Sequence, residues 1–390
     1  MILWQHYVYQ RGPAVHDLWD GLYEHRPVKL LYITGRGFDI RAQAVMSSFA
    51  DNIQGSQRKL DEADLILVGF SGYQLSEELV EETERNASDI TAMFAGLSDS
   101  GTNKVITIGT QTDDDEDLSP SNALRIGTEA VLREIGDHTD IVLDASSLPR
   151  VVYLALITAI LEKLIPEKQH KDALWANGIN FQVLVAEDAA LDGHIRAEDP
   201  SSDLIFIPGF SSVLHVESVS QWPLVWFPML GEGRTNQLRQ VTSLIPDEAE
   251  ICPVLPHPSH DPRRADRLLL EYREAIFVAR QTPMSNILYA HESHPFEAYR
   301  QMLGAMRRYR DSMLVLGGCR LVVTPLASKL ITIGAGLACF EMKPTGTDND
   351  YGVAIPYAEP KRYVASREVL RASKPEISAL LLTGQAYDCR

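Results

Sequence analysis

Val28-Lys29-Leu30-Leu31-Tyr32-Ile33 runs into Thr34-Gly35-Arg36-Gly37-Phe38-Asp39-Ile40-Arg41. The first six residues read as a buried strand, the glycines as a tight turn, and Asp39 to about Asn52 as a helix. The same grammar repeats along the first half. Strands are expected at Asp64–Phe70, Lys104–Ile108, Asp140–Asp144 and Asn180–Val185, with helices at Ser76–Phe94, Asn122–Ile135 and Arg150–Leu164 between them. Near-continuous apolar strands alternating with helices indicate a parallel sheet covered on both faces. Right-handed crossovers then give a doubly wound, Rossmann-like layer.

The pattern restarts at Leu224-Val225-Trp226-Phe227-Pro228-Met229-Leu230, followed by the turn Gly231-Glu232-Gly233 and a helix from Thr235 to Ile245. Further strands are expected at Glu250–Leu255, Asn286–Tyr289, Arg320–Thr324 and Tyr351–Tyr357. Helices are expected at Asp261–Gln281, Pro295–Ser312 and Ala327–Phe340. The acid-rich stretch from Ala186 to Ser220 lies between the halves. The expectation is α/β: two Rossmann-like doubly wound, mostly parallel sheets in tandem about a pseudo-two-fold axis, as domains 1–215 and 216–390.

Two features recur in the same order in each half. One is the turn after the first strand, Gly35-Arg36-Gly37 with Arg41, matched by Gly231-Glu232-Gly233-Arg234. The other is a late strand ending in small polar residues and a base, Asp144-Ala145-Ser146-Ser147-Leu148-Pro149-Arg150, matched by Thr324-Pro325-Leu326-Ala327-Ser328-Lys329. In an open parallel sheet both lie at the carboxyl ends of strands, where ligands bind. Glycines permit close backbone approach, and N–H groups at such turns attract anions. Gly35, Arg36, Gly37, Arg41, Ser146, Ser147 and Arg150, with Gly231, Gly233, Arg234, Ser328 and Lys329, are therefore the candidate ligand-binding set. Gly35-x-Gly37 lacks the third glycine of the dinucleotide fingerprint, and no acid ends the second strand to hold a ribose, which disfavours an NAD(P) dehydrogenase.

Over Thr34–Arg41 and Asp144–Arg150, and less closely over Gly231–Arg239 and Thr324–Lys329, the chain resembles CARF-type sensor domains of bacterial antiviral systems. It also resembles the SAVED-type fusion of two such units. The resemblance implies Rossmann-like domains paired about a two-fold axis, binding cyclic oligonucleotides through the first-strand loop and the late-strand motif. The late motif here lacks the glycine pair usual in CARF sequences.

Composition sets outer limits. The 390 residues carry 36 Lys+Arg against 53 Asp+Glu, a formal charge of −17. A long nucleic-acid track needs a basic surface and is excluded, but a small phosphorylated ligand in a local basic cleft is not. The four cysteines, Cys252, Cys319, Cys339 and Cys389, form no metal or disulfide pattern and read as free thiols in a reducing cytosol. The longest apolar runs, Val151–Leu161 and Leu330–Phe340, are too short to span a bilayer. A cytoplasmic protein with no membrane partner, no cofactor and no metal is expected, working with a protein partner or as a homo-oligomer.

Other clusters compete. His257-Pro258-Ser259-His260-Asp261 and His291-Glu292-Ser293-His294 each follow a strand. His257, His260, His291 and Glu292 become acid–base or metal candidates if the two loops meet; otherwise they are capping and loop residues. Asp113-Asp114-Asp115-Glu116-Asp117 reads as a solvated loop rather than a metal loop. Asp261–Arg267 and Arg307–Arg310 read as solvated helix faces. Glu341-x-Lys343 ends a helix rather than a strand, against a nuclease. Tyr357–Tyr363 offers aromatics and two bases, either to the second pocket or to a surface turn. The leading expectation is a sensor or accessory protein for a nucleotide ligand. The alternatives are a hydrolase or transferase on a nucleotide or sugar-phosphate in the second domain, and a non-catalytic structural subunit.

Overall fold

The computed structural model describes residues 2–388 apart from 25, 56–59, 110–117, 189–193, 202, 216 and 345–351. The acidic run Asp113–Asp117, Cys389 and the start of the expected strand at Tyr351 therefore lie outside the described residues. The chain forms two compact units, residues 1–198 with 362–390, and residues 199–361. This division corrects the single cut expected at residue 215. The second unit is an insertion, and the last 29 residues return to the first unit.

The first unit is built on β1 (Val8–Arg11), β2 (Lys29–Gly35), β3 (Glu62–Phe70), β4 (Asn103–Ile108), β5 (Asp140–Asp144), β6 (Asn180–Glu187) and, from the chain's end, β17 (Glu376–Thr383). The spatial order is β1-β17-β6-β5-β2-β3-β4. The run from β4 to β6 is parallel. β17 joins antiparallel to β6 and carries β1 antiparallel on its other side. Helices α1 (Ala14–Tyr23), α2 (Arg41–Gly55) and α3 (Glu77–Phe94) share one core with alternate strand residues: Trp19, Met46, Phe49 and Phe94 meet Tyr32, Leu65, Val142 and Leu184. Residues of the other parity, such as Ile33, Ile141 and Leu143, are equally buried. They point to the opposite face, where the crossover from β4 through α4 (Pro120–Arg133) to β5 and α5 (Arg150–Leu164) runs.

The second unit holds β8 (Ile205–Phe206), α6 (Ser212–His215), β9 (Leu224–Met229), α7 (Thr235–Thr242), β10 (Glu250–Ile251), β11 (Val254–Pro256), α8 (Arg264–Glu271), β12 (Leu288–Ala290), α9 (Pro295–Ser312), β13 (Arg320–Pro325), α10 (Lys329–Met342), β14 (Val353–Ala354) and β15 (Pro356–Tyr357). The sheet order is β12-β11-β9-β13-β14, with β10 also on β9, and every pair is parallel. β15 pairs antiparallel with β8. The chain passes between units on β7 (Arg196–Pro200) and β16 (Pro360–Val364), and α11 (Arg367–Arg371) precedes β17.

Pro228 sits inside the central strand β9, where a missing N–H should break a ladder. The neighbouring strand is broken at the same level: β10 pairs with β9 through Trp226, and β11 resumes at Met229. Pro253 lies in that gap, so the two prolines face an interruption rather than a ladder. The long helix expected over 261–281 is also shorter. α8 stops at Glu271 and a π-helical stretch, Arg273–Val278, continues it.

Counted within each unit, with β10 and β11 taken as one interrupted strand, the five parallel strands have one order, third-second-first-fourth-fifth. The order reverses between β2 and β5 in one unit and between β9 and β13 in the other. The two apolar runs are the helices after those fourth strands, α5 and α10, buried on nearly all sides. No helix among the described residues is long and apolar enough to cross a membrane.

Candidate functional site

The strand reversal opens a crevice at the carboxyl edge of such a sheet. In the first unit Thr34 lies opposite Asp144 across this reversal. The turn after β5 closes tightly on the end of β2. Ser147 Oγ donates to the Gly35 carbonyl at 2.9 Å. A Cβ on Gly35 would stand 2.6 Å from that Oγ and 3.0 Å from the Ser147 carbonyl carbon. The second unit repeats the construction, since a Cβ on Gly231 would stand 2.1 Å from the Leu326 carbonyl oxygen. The first glycine of each turn is required because the fourth-strand turn occupies the space of a side chain.

The polar groups named from sequence divide once their partners are known. Arg41 is buried and committed to Asp39, donating from Nε at 2.9 Å and from Nη2 at 2.6 Å. Ser146 is fully buried and its Oγ accepts from the Ala186 N–H at 2.9 Å. Both hold the fold, so neither is presented to a ligand. Gly37 approaches the Ser147 carbonyl, and its own carbonyl accepts from Asn86 Nδ2 at 3.1 Å. Arg36 stays at the surface and donates from Nη2 to both carboxylate oxygens of Glu84, at 2.6 and 2.7 Å. Ser147 and Arg150, at the opening of α5, are half-buried on the same edge.

Sequence reasoning missed the aromatic groups on this edge. Phe70 ends β3, and Tyr73 follows it in the next loop with ring centroids 5.6 Å apart. Tyr363 meets Tyr73 edge-to-face at 5.0 Å and lies 6.0 Å from Phe38. The segment Tyr357–Tyr363 thus divides. Tyr363 serves the first unit, and Tyr357 is buried in the second, where its hydroxyl accepts from Gln237 Nε2. The long-range pairing of residues 362 and 363 with Gln74 brings Tyr363 there, and no local signal encodes it.

In the second unit the two histidine loops do meet. The His260 N–H donates to Glu292 Oε2 at 2.8 Å, and the Glu292 N–H donates to the Pro258 carbonyl at 3.1 Å. His257 packs edge-on against Tyr289, and His291 lies 5.9 Å from His294. His294 caps α9, accepting from the Glu297 N–H. Burial lowers its pKa, which favours the neutral ring that accepts this cap bond. Glu292 is itself buried and clamped by Arg264 Nη1, while Arg264 also donates to both oxygens of Glu232 at 2.7 and 2.8 Å. Burial opposes the charge on Arg264, but the two carboxylates outweigh it and raise its pKa. Ser328 Oγ donates to the Glu292 carbonyl at 3.4 Å. Arg234 precedes α7 and forms no ion pair among the described residues, and Lys329 opens α10. Among the described residues no group of three or more His, Cys, Asp or Glu side chains is placed to hold a metal ion. Of the basic runs, Arg307 is tied to Glu341, which also accepts from the Tyr299 hydroxyl. That tie joins α9 to α10 and explains Glu341 without a nuclease.

No protein-family model matches the chain, and no curated protein does. Among solved structures, a crystal structure of an N-terminal ketoreductase from a macrolactin assembly line is similar at a TM-score of 0.20 and 7% identity, covering 90% of each chain. A likeness at that level carries no argument about fold or function.

Proposed function

We propose that the chain is a nucleotide-ligand-binding module, a sensor or accessory protein of a bacterial defence or signalling system in the manner of the CARF- and SAVED-type domains its sequence resembles. The observation that carries this reading is the repeated switch point: the same strand order, and the same glycine pressed against the fourth-strand turn, in both units. In the first unit Arg36 and Arg150 supply anion-binding groups, and Tyr73 and Tyr363 supply rings for a base to stack on. Base–aromatic stacking and Arg–phosphate contacts are the chemistry that recognises a nucleotide without reading long sequence. Thermal melting of the full chain with linear and cyclic nucleotides tests it. A bound ligand raises the melting temperature by mass action. A rise with at least one nucleotide that is lost in Arg36→Ala supports the reading, and no shift with any at millimolar concentration removes it.

A second reading, a hydrolase or transferase in the second unit, is favoured by one observation, the meeting of the two histidine loops at Glu292. Turnover of nucleotide or sugar-phosphate substrates that disappears in His291→Ala supports it. Turnover that persists in that variant removes His291 from the chemistry.

A further inference from the structure

One residue of each glycine turn already bonds a carboxylate, Arg36 through its side chain and Gly233 through its N–H, and both carboxylates come from the same place in the fold. In the first unit Glu84 lies on α3, the helix after the second strand, and takes the Arg36 guanidinium on both its oxygens. In the second unit Glu271 lies on α8, again the helix after the second strand. Its Oε1 accepts from the Gly233 N–H at 2.9 Å and from the Thr235 hydroxyl at 3.1 Å. Glu84 is the eighth residue of the helix Glu-Glu-Leu-Val-Glu-Glu-Thr-Glu, and Glu271 the eighth of Arg-Ala-Asp-Arg-Leu-Leu-Leu-Glu. The donors differ, a guanidinium in one unit and a backbone N–H with a hydroxyl in the other. A phosphate oxygen would use either set.

We propose that Glu84 and Glu271 are built-in counter-anions that occupy the two turns, and that an anionic ligand engages a turn by displacing its glutamate. The proposal rests on the nucleotide-binding reading and adds how those sites are regulated. The Arg36–Glu84 pair is partly exposed, at 34% and 59% of the two side chains. Solvent therefore weakens it, and a ligand that offers several phosphate oxygens can replace it. Each glutamate sets an affinity threshold, so that a weakly charged metabolite does not open the turn and a polyphosphate does.

Calorimetric titration of inorganic pyrophosphate into the full chain tests this, with Glu84→Gln, Glu271→Gln, the double variant and Glu84→Gln/Arg36→Ala. Glutamine keeps the shape and the helix and removes the charge, and unchanged circular dichroism confirms the fold of each variant. Removing an exposed competing carboxylate is expected to tighten pyrophosphate binding about fivefold or more. The double variant is expected to bind two equivalents, and Arg36→Ala to cancel the gain at the first turn. Equal affinity in wild type and Glu84→Gln overturns the proposal for the first turn. A single site in the double variant overturns it for the second. Pyrophosphate bound by none of the forms overturns it entirely. The melting shift of the wild-type chain with nucleotides reports separately on the functional reading.

Discussion

Gly231 and Gly233 stand two residues apart and are glycine for different reasons. Gly231 has no room for a side chain beside Leu326, whereas Gly233 has open space around it and a φ of +67°. Gly231→Ala must push two strand-end turns apart and is expected to cost about 1–3 kcal/mol as overpacking. Gly233→Ala pays only for the left-handed backbone, about 1 kcal/mol. Urea unfolding of the two variants separates the effects, and equal losses would remove the close approach from the account. Asp64 gives a pH-dependent counterpart. Burial works to raise its pKa, but hydrogen bonds from Thr102, at 2.6 and 2.7 Å, and from His138 outweigh burial and hold it below the ordinary carboxylate value. A depressed folded pKa contributes stability that is present above the unfolded value of about 3.9 and lost as pH falls through the folded value. Asp64→Asn is therefore expected to flatten the acid limb of the urea midpoint against pH. The same scale shows where sequence reading of the site stopped. The Asp39–Arg41 pair is two residues apart and was open to inspection, yet Arg41 read as a free base because burial is not written locally. Ser146 bonds to Ala186, forty residues on, and no local pattern announces that.

At the scale of elements, the parallel strands were legible because burial on both faces leaves a continuous apolar run, as in Leu30–Ile33 and Ile141–Leu143. The helices of each crossover were legible from their amphipathic period. Their ends depend on partners that sequence does not display. α4 ends where Lys163 Nζ donates to the carbonyls of Leu132 and Ile135, at 3.0 and 2.9 Å. The short α7 of the second unit ends in a similar way. Arg280, reaching back from beyond α8, donates to the carbonyls of Thr242, Ile245 and Pro246 at 3.0–3.1 Å. Its side chain is 11% exposed. Arg280→Ala leaves these terminal carbonyls unsatisfied and is expected to cost about 2 kcal/mol. Hydrogen exchange should then speed first across residues 239–246. Arg280→Lys is expected to recover only part of the loss, because one ammonium cannot reproduce the planar fork. Unchanged exchange in Arg280→Ala would mean that the helix end is held by packing alone.

At the scale of the whole molecule, the class of fold and its repetition were legible, and the limits of the units were not. Glu376–Thr383 was not among the expected strands, and its neighbour in space is β6, nearly two hundred residues earlier. A composition shift can mark where a chain leaves a unit, and it carries no record of a return. The insertion makes a sharp prediction for fragments. Residues 199–361 are expected to fold alone and unfold cooperatively. Residues 216–390 are expected to lack a stable fold, because they omit β8 and carry β17 without β6. Fragment expression followed by limited proteolysis and chemical unfolding decides between this division and a cut at 215.

The late return of β17 also bears on the order in which the molecule can be made. Synthesis is vectorial and domains fold as units when their last strand emerges. The inserted unit is complete once Lys361 leaves the ribosome. The unit that began first still lacks the strand that joins β1 to β6. Nascent chains stalled at that point are expected to hold a protease-resistant second unit beside an unfinished first, whose open sheet edge is the surface a chaperone would meet.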